Sequence, residues 1–218
     1  SEIVLNGNPA YLFEVSQMAN DIKFIKHIVI LGNNKETVLI NGIYPESEKE
    51  VGEIIYKSIQ TIHYNSKAET NGLEAAPFTI DAFDTGLKFS GYLAGALLYS
   101  ADGKMPTNSP DKAVFSVGSS ISNVTIDDKK AYTESRLKLL PRGASNEIKS
   151  VNEITINGIF GYEIIAEGLD NKNEKQLVYF VMLYPNDSSY YIMAGMASAK
   201  FEEYTAAFQK LANSFKVK

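Results

Sequence analysis

The chain has 218 residues, 44% of them hydrophobic and 22% charged, with a net charge of −5, two histidines and no cysteine. That length supports one sizeable core or two small ones, and the composition is that of an ordinary globular protein. Without cysteine there are no disulfides, thiolate nucleophiles or cysteine zinc sites, and without clustered Lys or Arg there is no footprint for a nucleic-acid backbone.

In chain order, the first element is LNGNPAYLFEV, Leu5 to Val15, which returns 151 positions later as INGIFGYEIIA, Ile156 to Ala166. Asn6, Gly7 and Tyr11 recur as Asn157, Gly158 and Tyr162. Next comes a β-rich run, a polar turn and a second β-rich run, Ile28 to Gly42, the pattern of a hairpin. It matches Val181 to Gly195 at an offset of 153, with Asn33 and Gly42 facing Asn186 and Gly195. The change from 151 to 153 implies two extra residues in the loop EGLDNKNEK relative to SQMANDIK. An amphipathic helix follows each hairpin. Val51, Ile54, Ile55, Ile59 and Ile62 recur at steps of three and four, as do Phe201, Tyr204, Phe208, Leu211 and Phe215. Pro45 and Ser198 stand where these helices should begin.

These repeats divide the chain into residues 1–62, the C-terminal half of a repeat; 63–76, a polar, Gly/Ala-rich linker; and 77–218, a complete domain. The complete copy has a front half of strands and turns, ending in a short helix over DDKKAYTESRLKLL that Asp128 would begin. The first copy either lost its front half or arose by partial duplication. A chain that opens on Ser1 also reads as a processed or trimmed product. A half copy leaves a sheet edge without a partner strand, so it should pair with another chain or pack onto the second copy.

The second copy resembles the PsbP-like superfamily, which includes an extrinsic protein of photosystem II and a Ran-binding nuclear import factor. Phe78, Ile80, Gly86 to Phe89, Tyr190 to Gly195 and Phe208 to Lys216 carry the resemblance. It implies an α+β fold, an antiparallel β-sheet flanked by helices on both faces as an α/β/α sandwich, partially duplicated here. It transfers no functional residue, and function has to be argued from a site.

Reactive constellations are absent from the sequence. His27 lies in the strand-like FIKHIVIL and reads as a sheet-face residue, while His63 reads as a helix-end residue. Two histidines without cysteine leave no nitrogen- or sulfur-rich metal site. Asp81 with Asp84, and Asp127 with Asp128, are the carboxylate pairs; the Asp170 to Glu174 loop lacks the spacing of a calcium loop. No glycine pattern forms a phosphate loop, and VGSSIS, Val117 to Ser122, is not a nucleophile elbow. The reading is therefore not an enzyme, with no cofactor and no metal. Thirteen tyrosines are the one suggestive feature, since tyrosine combines flat apolar area with a hydroxyl at interfaces. Tyr92, Tyr99, Tyr184, Tyr190 and Tyr191 are the candidate contact residues.

The expected function is a non-catalytic binding or scaffold module, exported to the periplasm or cell surface, that engages a protein partner and could form a homodimer. Nucleic acid is excluded as a partner. A membrane span is excluded because no segment approaches the roughly 20 apolar residues required. The alternative is a carrier of a small apolar ligand between sheet and helix; a hydrolase ranks last.

Overall fold

The computed structural model describes all residues except 20–21, 35–36, 66–70 and 121–124. The middle of the SQMANDIK loop, part of the 63–76 linker and the end of VGSSIS lie outside the described residues. The chain forms two compact units, Ser1–Glu69 and Thr70–Lys218.

In the first unit, strands β1 (Glu2–Leu5), β2 (Asn8–Ala19), β3 (Ile22–Gly32) and β4 (Thr37–Pro45) form an antiparallel sheet in sequential order. β1 and β2 are joined through Asn6 and Gly7 at φ 46° and 86°. Both positive values suit a two-residue turn matched to strand twist, where Asn-Gly is the favoured pair. Helix α1 (Lys49–Gln60) packs on one face over Leu5, Ala10, Val29 and Leu31. The Asn6 side-chain amide donates to the carbonyls of Gln60 (3.0 Å) and Ile62 (2.8 Å), tying the turn to the end of this helix. Of the apolar stripe, Ile55, Ile59 and Ile62 face the core, whereas Val51 and Ile54 are exposed. Successive helical residues are 100° apart, and a four-stranded sheet covers only the narrower stripe. The helix starts later than Pro45 suggests: Pro45 ends β4, and Glu48 is the N-cap without a side-chain bond.

The second unit begins with the short helix α2 (Gly72–Ala75), so the end of the 63–76 segment is helical. Strands β5 (Phe78–Thr79), β6 (Lys88–Leu93), β7 (Ala96–Ser100) and β8 (Val114–Ser119) lead to helix α3 (Lys129–Lys138). Asp128 caps α3, accepting from the Ala131 amide at 2.9 Å. β9 (Glu147–Ile156), β10 (Ile159–Leu169), β11 (Lys175–Leu183), β12 (Tyr191–Ala197), α4 (Phe201–Asn213) and β13 (Lys216–Val217) complete it. Seven strands make one antiparallel sheet, β6-β7-β8-β12-β11-β10-β9, while β13 pairs with β5.

Both faces of this sheet are covered. Phe78, Tyr99, Phe115, Tyr179, Phe208 and Phe215 lie on the α4 side; Leu137, Ile164, Phe180, Met182 and Tyr184 lie on the α3 side. β11, at the centre, is buried from Leu177 to Leu183, which explains its continuous apolar run. The fold is therefore the α+β arrangement of an antiparallel sheet flanked by helices. α4 lies so close to β12 that a Cβ on Gly195 would meet the Phe208 ring at 2.6 Å. Lys200, at φ 51°, precedes α4 as its N-cap, and Ser198 does not fill that position.

The loop between β7 and β8 is organised by one carboxylate. Asp102 accepts from Thr107 Oγ1 (2.7 Å), the Asn108 amide (2.9 Å), Ser100 Oγ (3.2 Å) and the Lys104 amide (3.3 Å). The Thr107 hydroxyl, followed by the Asn108 amide, holds its pKa down at about 2. A depressed carboxylate stabilises the fold above its ordinary value near 4, and that contribution is lost as pH falls toward 2. Asp102→Asn should therefore melt below wild type at pH 6, with the gap closing between pH 4 and 2. Thermal melts across that range check it; a gap independent of pH would assign Asp102 a different role.

Candidate functional site

The five tyrosines proposed from sequence are dispersed. Tyr184 is buried beside α3, where its hydroxyl shares a 2.7 Å hydrogen bond with Thr133 Oγ1 and donates to the Lys129 carbonyl at 3.0 Å. Tyr190 is buried edge-on to Tyr132, with the Arg136 guanidinium 5.9 Å from its ring centroid. Tyr191 packs on Phe215 with ring centroids 4.7 Å apart. Tyr99 is buried with an unpartnered hydroxyl, and burial pushes its pKa up to about 12. Of the five, Tyr92 alone is a surface residue. Tyr99, Tyr184 and Tyr190 are buried in the core, Tyr191 is half-buried against it and Tyr92 is exposed, so the five do not lie together on one exposed surface.

The other sequence candidates have structural roles. Asp81 caps the Phe83 amide at 2.9 Å, and Asp84 pairs with Lys210 at 3.1 Å. Asp170 is buried, folding its own loop through the Lys172 (2.7 Å) and Glu174 (3.0 Å) amides, with Lys112 Nζ at 3.3 Å. Arg142 donates to the Asp170 carbonyl. His63 is exposed beyond α1. Among the described residues, no three acidic or histidine side chains converge as a metal site.

His27 is different. It is buried on the α1 side of β3, forming the floor of an open cleft of about 470 Å³. Tyr44 from β4 and Tyr56 from α1 flank it, each with its ring centroid 5.5 Å from the imidazole. Gly52 makes room for this arrangement: a Cβ there would lie 2.3 Å from the Tyr44 ring. Among the described residues, Nδ1 of His27 has no hydrogen-bond partner, and its nearest acidic neighbour is Glu14 Oε2 at 3.7 Å. That separation is too long for a hydrogen bond. Glu53, Lys49 and Lys57 stand at the rim, and Glu46, also at the rim, is paired to Lys23 at 2.6 Å.

The second unit shows what is unusual here. Ladder partners Ala10↔Leu31 and Gly161↔Leu183 place β3 and β11 at an offset of 152, and Leu31↔Val38 against Leu183↔Tyr191 place β4 and β12 at 153. The two extra residues therefore fall one in each connecting loop. By this register, His27, Tyr56 and Leu12 correspond to Tyr179, Gln209 and Glu163. There the polar groups satisfy one another: Tyr179 donates to Glu163 at 2.8 Å, and Gln209 donates to the same carboxylate at 3.2 and 3.3 Å. In the first unit Leu12 stands at the Glu163 position, and among the described residues the buried imidazole nitrogen has no hydrogen-bond partner. A lone strand histidine gives no sequence signal for this cleft; the informative features are Gly52 within α1 and Tyr56 one turn later.

No known family matches the chain, and no curated protein is similar to it. Distant similarities exist to solved structures. A cyanobacterial PsbP from Synechocystis sp. PCC 6803 has a TM-score of 0.41 and 14% identity over 71% of this chain and all of that one. An immunity protein of a Pseudomonas aeruginosa T6SS, TplEi, has 0.38 and 12% over all of this chain and 75% of that one. A Bacteroides thetaiotaomicron structure has 0.40 and 8% over 65% of this chain, which spans 45% of that protein's length. Among the described residues, no helix is long and apolar enough to cross a membrane.

Proposed function

We propose that this chain is a non-catalytic binding module that engages a protein partner, and that the His27 cleft receives an arginine side chain of that partner. The observation that carries this reading is an open cleft floored by His27 between two tyrosine rings, with the Glu14 carboxylate on its wall. A guanidinium stacks on aromatic faces and presents a rigid fork of donors. The Glu14 carboxylate, beside the imidazole, and the Glu53 carboxylate at the rim offer acceptors for that fork. Catalysis would need a nucleophile for the imidazole to activate, whereas Nδ1 touches none. In the second unit, the space between sheet and α4 is filled by Phe115, Tyr179, Tyr204 and Phe208, with ring centroids 5.7–5.9 Å apart, which disfavours an apolar-ligand carrier there.

The test is an NMR titration of the protein with acetyl-Gly-Arg-Gly-amide against the citrulline peptide of the same shape. The arginine peptide should shift His27, Tyr44 and Tyr56 signals, and the citrulline peptide should not. Tyr56→Ala should abolish the response and, once the natural partner is in hand, weaken its binding by about 30-fold or more, the scale of an arginine anchor. Equal responses to both peptides would refute the arginine assignment.

A further inference from the structure

Among the described residues, the face of the first sheet opposite α1 is largely apolar and uncovered. Tyr11, Phe13 and Val15 of β2, Leu39 and Ile43 of β4, and Val4 of β1 are exposed there, with Ile28 and Ile30 of β3 between them. The contrast with the second unit is direct. Phe13 is 45% exposed, whereas its counterpart Ile164 is fully buried; Ile28 and Ile30 correspond to the fully buried Phe180 and Met182. What covers those residues is α3 and its flanks, through Ile126, Tyr132, Leu137 and Leu140. β4 is also an edge of its sheet, whereas its counterpart β12 has β8 along its outer side. One segment, running from β5 through α3, supplies both missing pieces in the second unit.

We propose that the bare face and the β4 edge are the seat of a front half built like residues 77–146, carried in the same polypeptide ahead of β1. In the second unit that segment directly precedes β9, the counterpart of β1, so cover and sheet are contiguous with the cover first. A second copy of this chain cannot supply it in trans, because its β8 and α3 are already engaged on its own second unit. Nor is the face suited to pairing with itself. Lys26 sits within it, beside Val15 and Ile43, whereas Glu2, the carboxylate of this face, lies on the edge strand β1 beside Tyr11, so two bare faces pressed together would bury lysines at a cost.

The template fixes details of the occupant. Its last strand runs antiparallel to β4 and, following Gly195↔Phe115, sets a large apolar residue opposite Gly42. Its helix lies over Tyr11, Phe13 and Ile28 and presents an acidic residue to Lys26, which replaces the Val178 of the second unit.

The experiment is intact mass measurement, under denaturing conditions, of the protein purified from its source, together with amide exchange over Val38–Tyr44. The expected chain exceeds 24.0 kDa, and its β4 amides exchange as slowly as those of β12. A source protein of 24.0 kDa overturns the proposal, whether it is monomeric, dimeric or bound to another protein. A longer chain whose β4 amides exchange like a free edge overturns it equally.

Discussion

Replacing Phe208 by alanine is expected to destabilise the second unit by about 3–5 kcal/mol, the range for removing a fully buried aromatic side chain. Phe208 joins the most elements of any ring in that core: centroids of Phe115, Tyr179 and Tyr204 lie 5.7, 5.9 and 5.9 Å away. The site is poorly placed to collapse, because the residue beneath the ring is Gly195, which has no side chain to move into the void. Phe208→Leu should cost distinctly less, since most of the volume stays. Urea denaturation combined with amide exchange of β11 reads the effect where it arises. A loss under about 1 kcal/mol for the alanine variant would mean that α4 settles onto β12 and the close approach is not rigid.

The aromatic stripe of α4 was legible in the sequence for the reason that makes this prediction large. Phe201, Tyr204, Phe208, Leu211 and Phe215 recur at helical spacing, and all join the same core. The hairpin from Ile28 to Gly42 was legible as two β-rich runs about a polar turn, and the repeated Asn6-Gly7 and Asn157-Gly158 pairs form two further turns at positive φ. The helix starts were less so. Pro45 and Ser198 satisfy positional preferences, but the chain uses Pro45 to close β4 and a left-handed Lys200 before α4. Val51 and Ile54 look like core residues because periodicity cannot reveal how wide a sheet the helix will cover.

The candidate site was largely illegible, and the tyrosines show why. Tyrosine suits both a half-buried strand and an interface, so composition alone cannot separate Tyr99 and Tyr184, inside, from Tyr56, at the mouth of a cleft. What marks the His27 cleft is a difference from the second unit, Leu12 at the ladder position that Glu163 holds there. That substitution becomes meaningful only after the ladder register is known. The two extra residues sit in separate loops, so a single offset through β3 would pair His27 with Phe180, on the wrong face of the sheet. The open face of the first sheet was hidden for a related reason: β2 alternates Ala10 and Leu12 with Tyr11 and Phe13, apolar on both sides, as in a sheet covered twice.

The buried tyrosines that are not interface residues carry their own consequence, an alkaline limit on stability. Burial pushes the Tyr99 and Tyr184 hydroxyls up to about 12. Tyr179 is raised further still, by burial first and then by the charge of Glu163, to which it donates. In the unfolded chain each titrates near 10. Between pH 10 and 12, therefore, these three groups have released protons in the unfolded state that they retain in the folded state, and the sign is fixed: their contribution to stability is complete below pH 10 and falls as pH rises. With three groups at 1.36 kcal/mol per unit each, the slope reaches about −4 kcal/mol per pH unit. Urea unfolding at intervals from pH 9 to 12 measures it, and tyrosinate absorbance should appear together with unfolding, not ahead of it. Tyr99→Phe separates the contributions. Its hydroxyl has no partner, so the variant should match or exceed wild type at pH 7 while flattening the alkaline slope by about a third. An unchanged slope would mean that Tyr99 ionises inside the fold, and that the core around it admits water more readily than its packing implies.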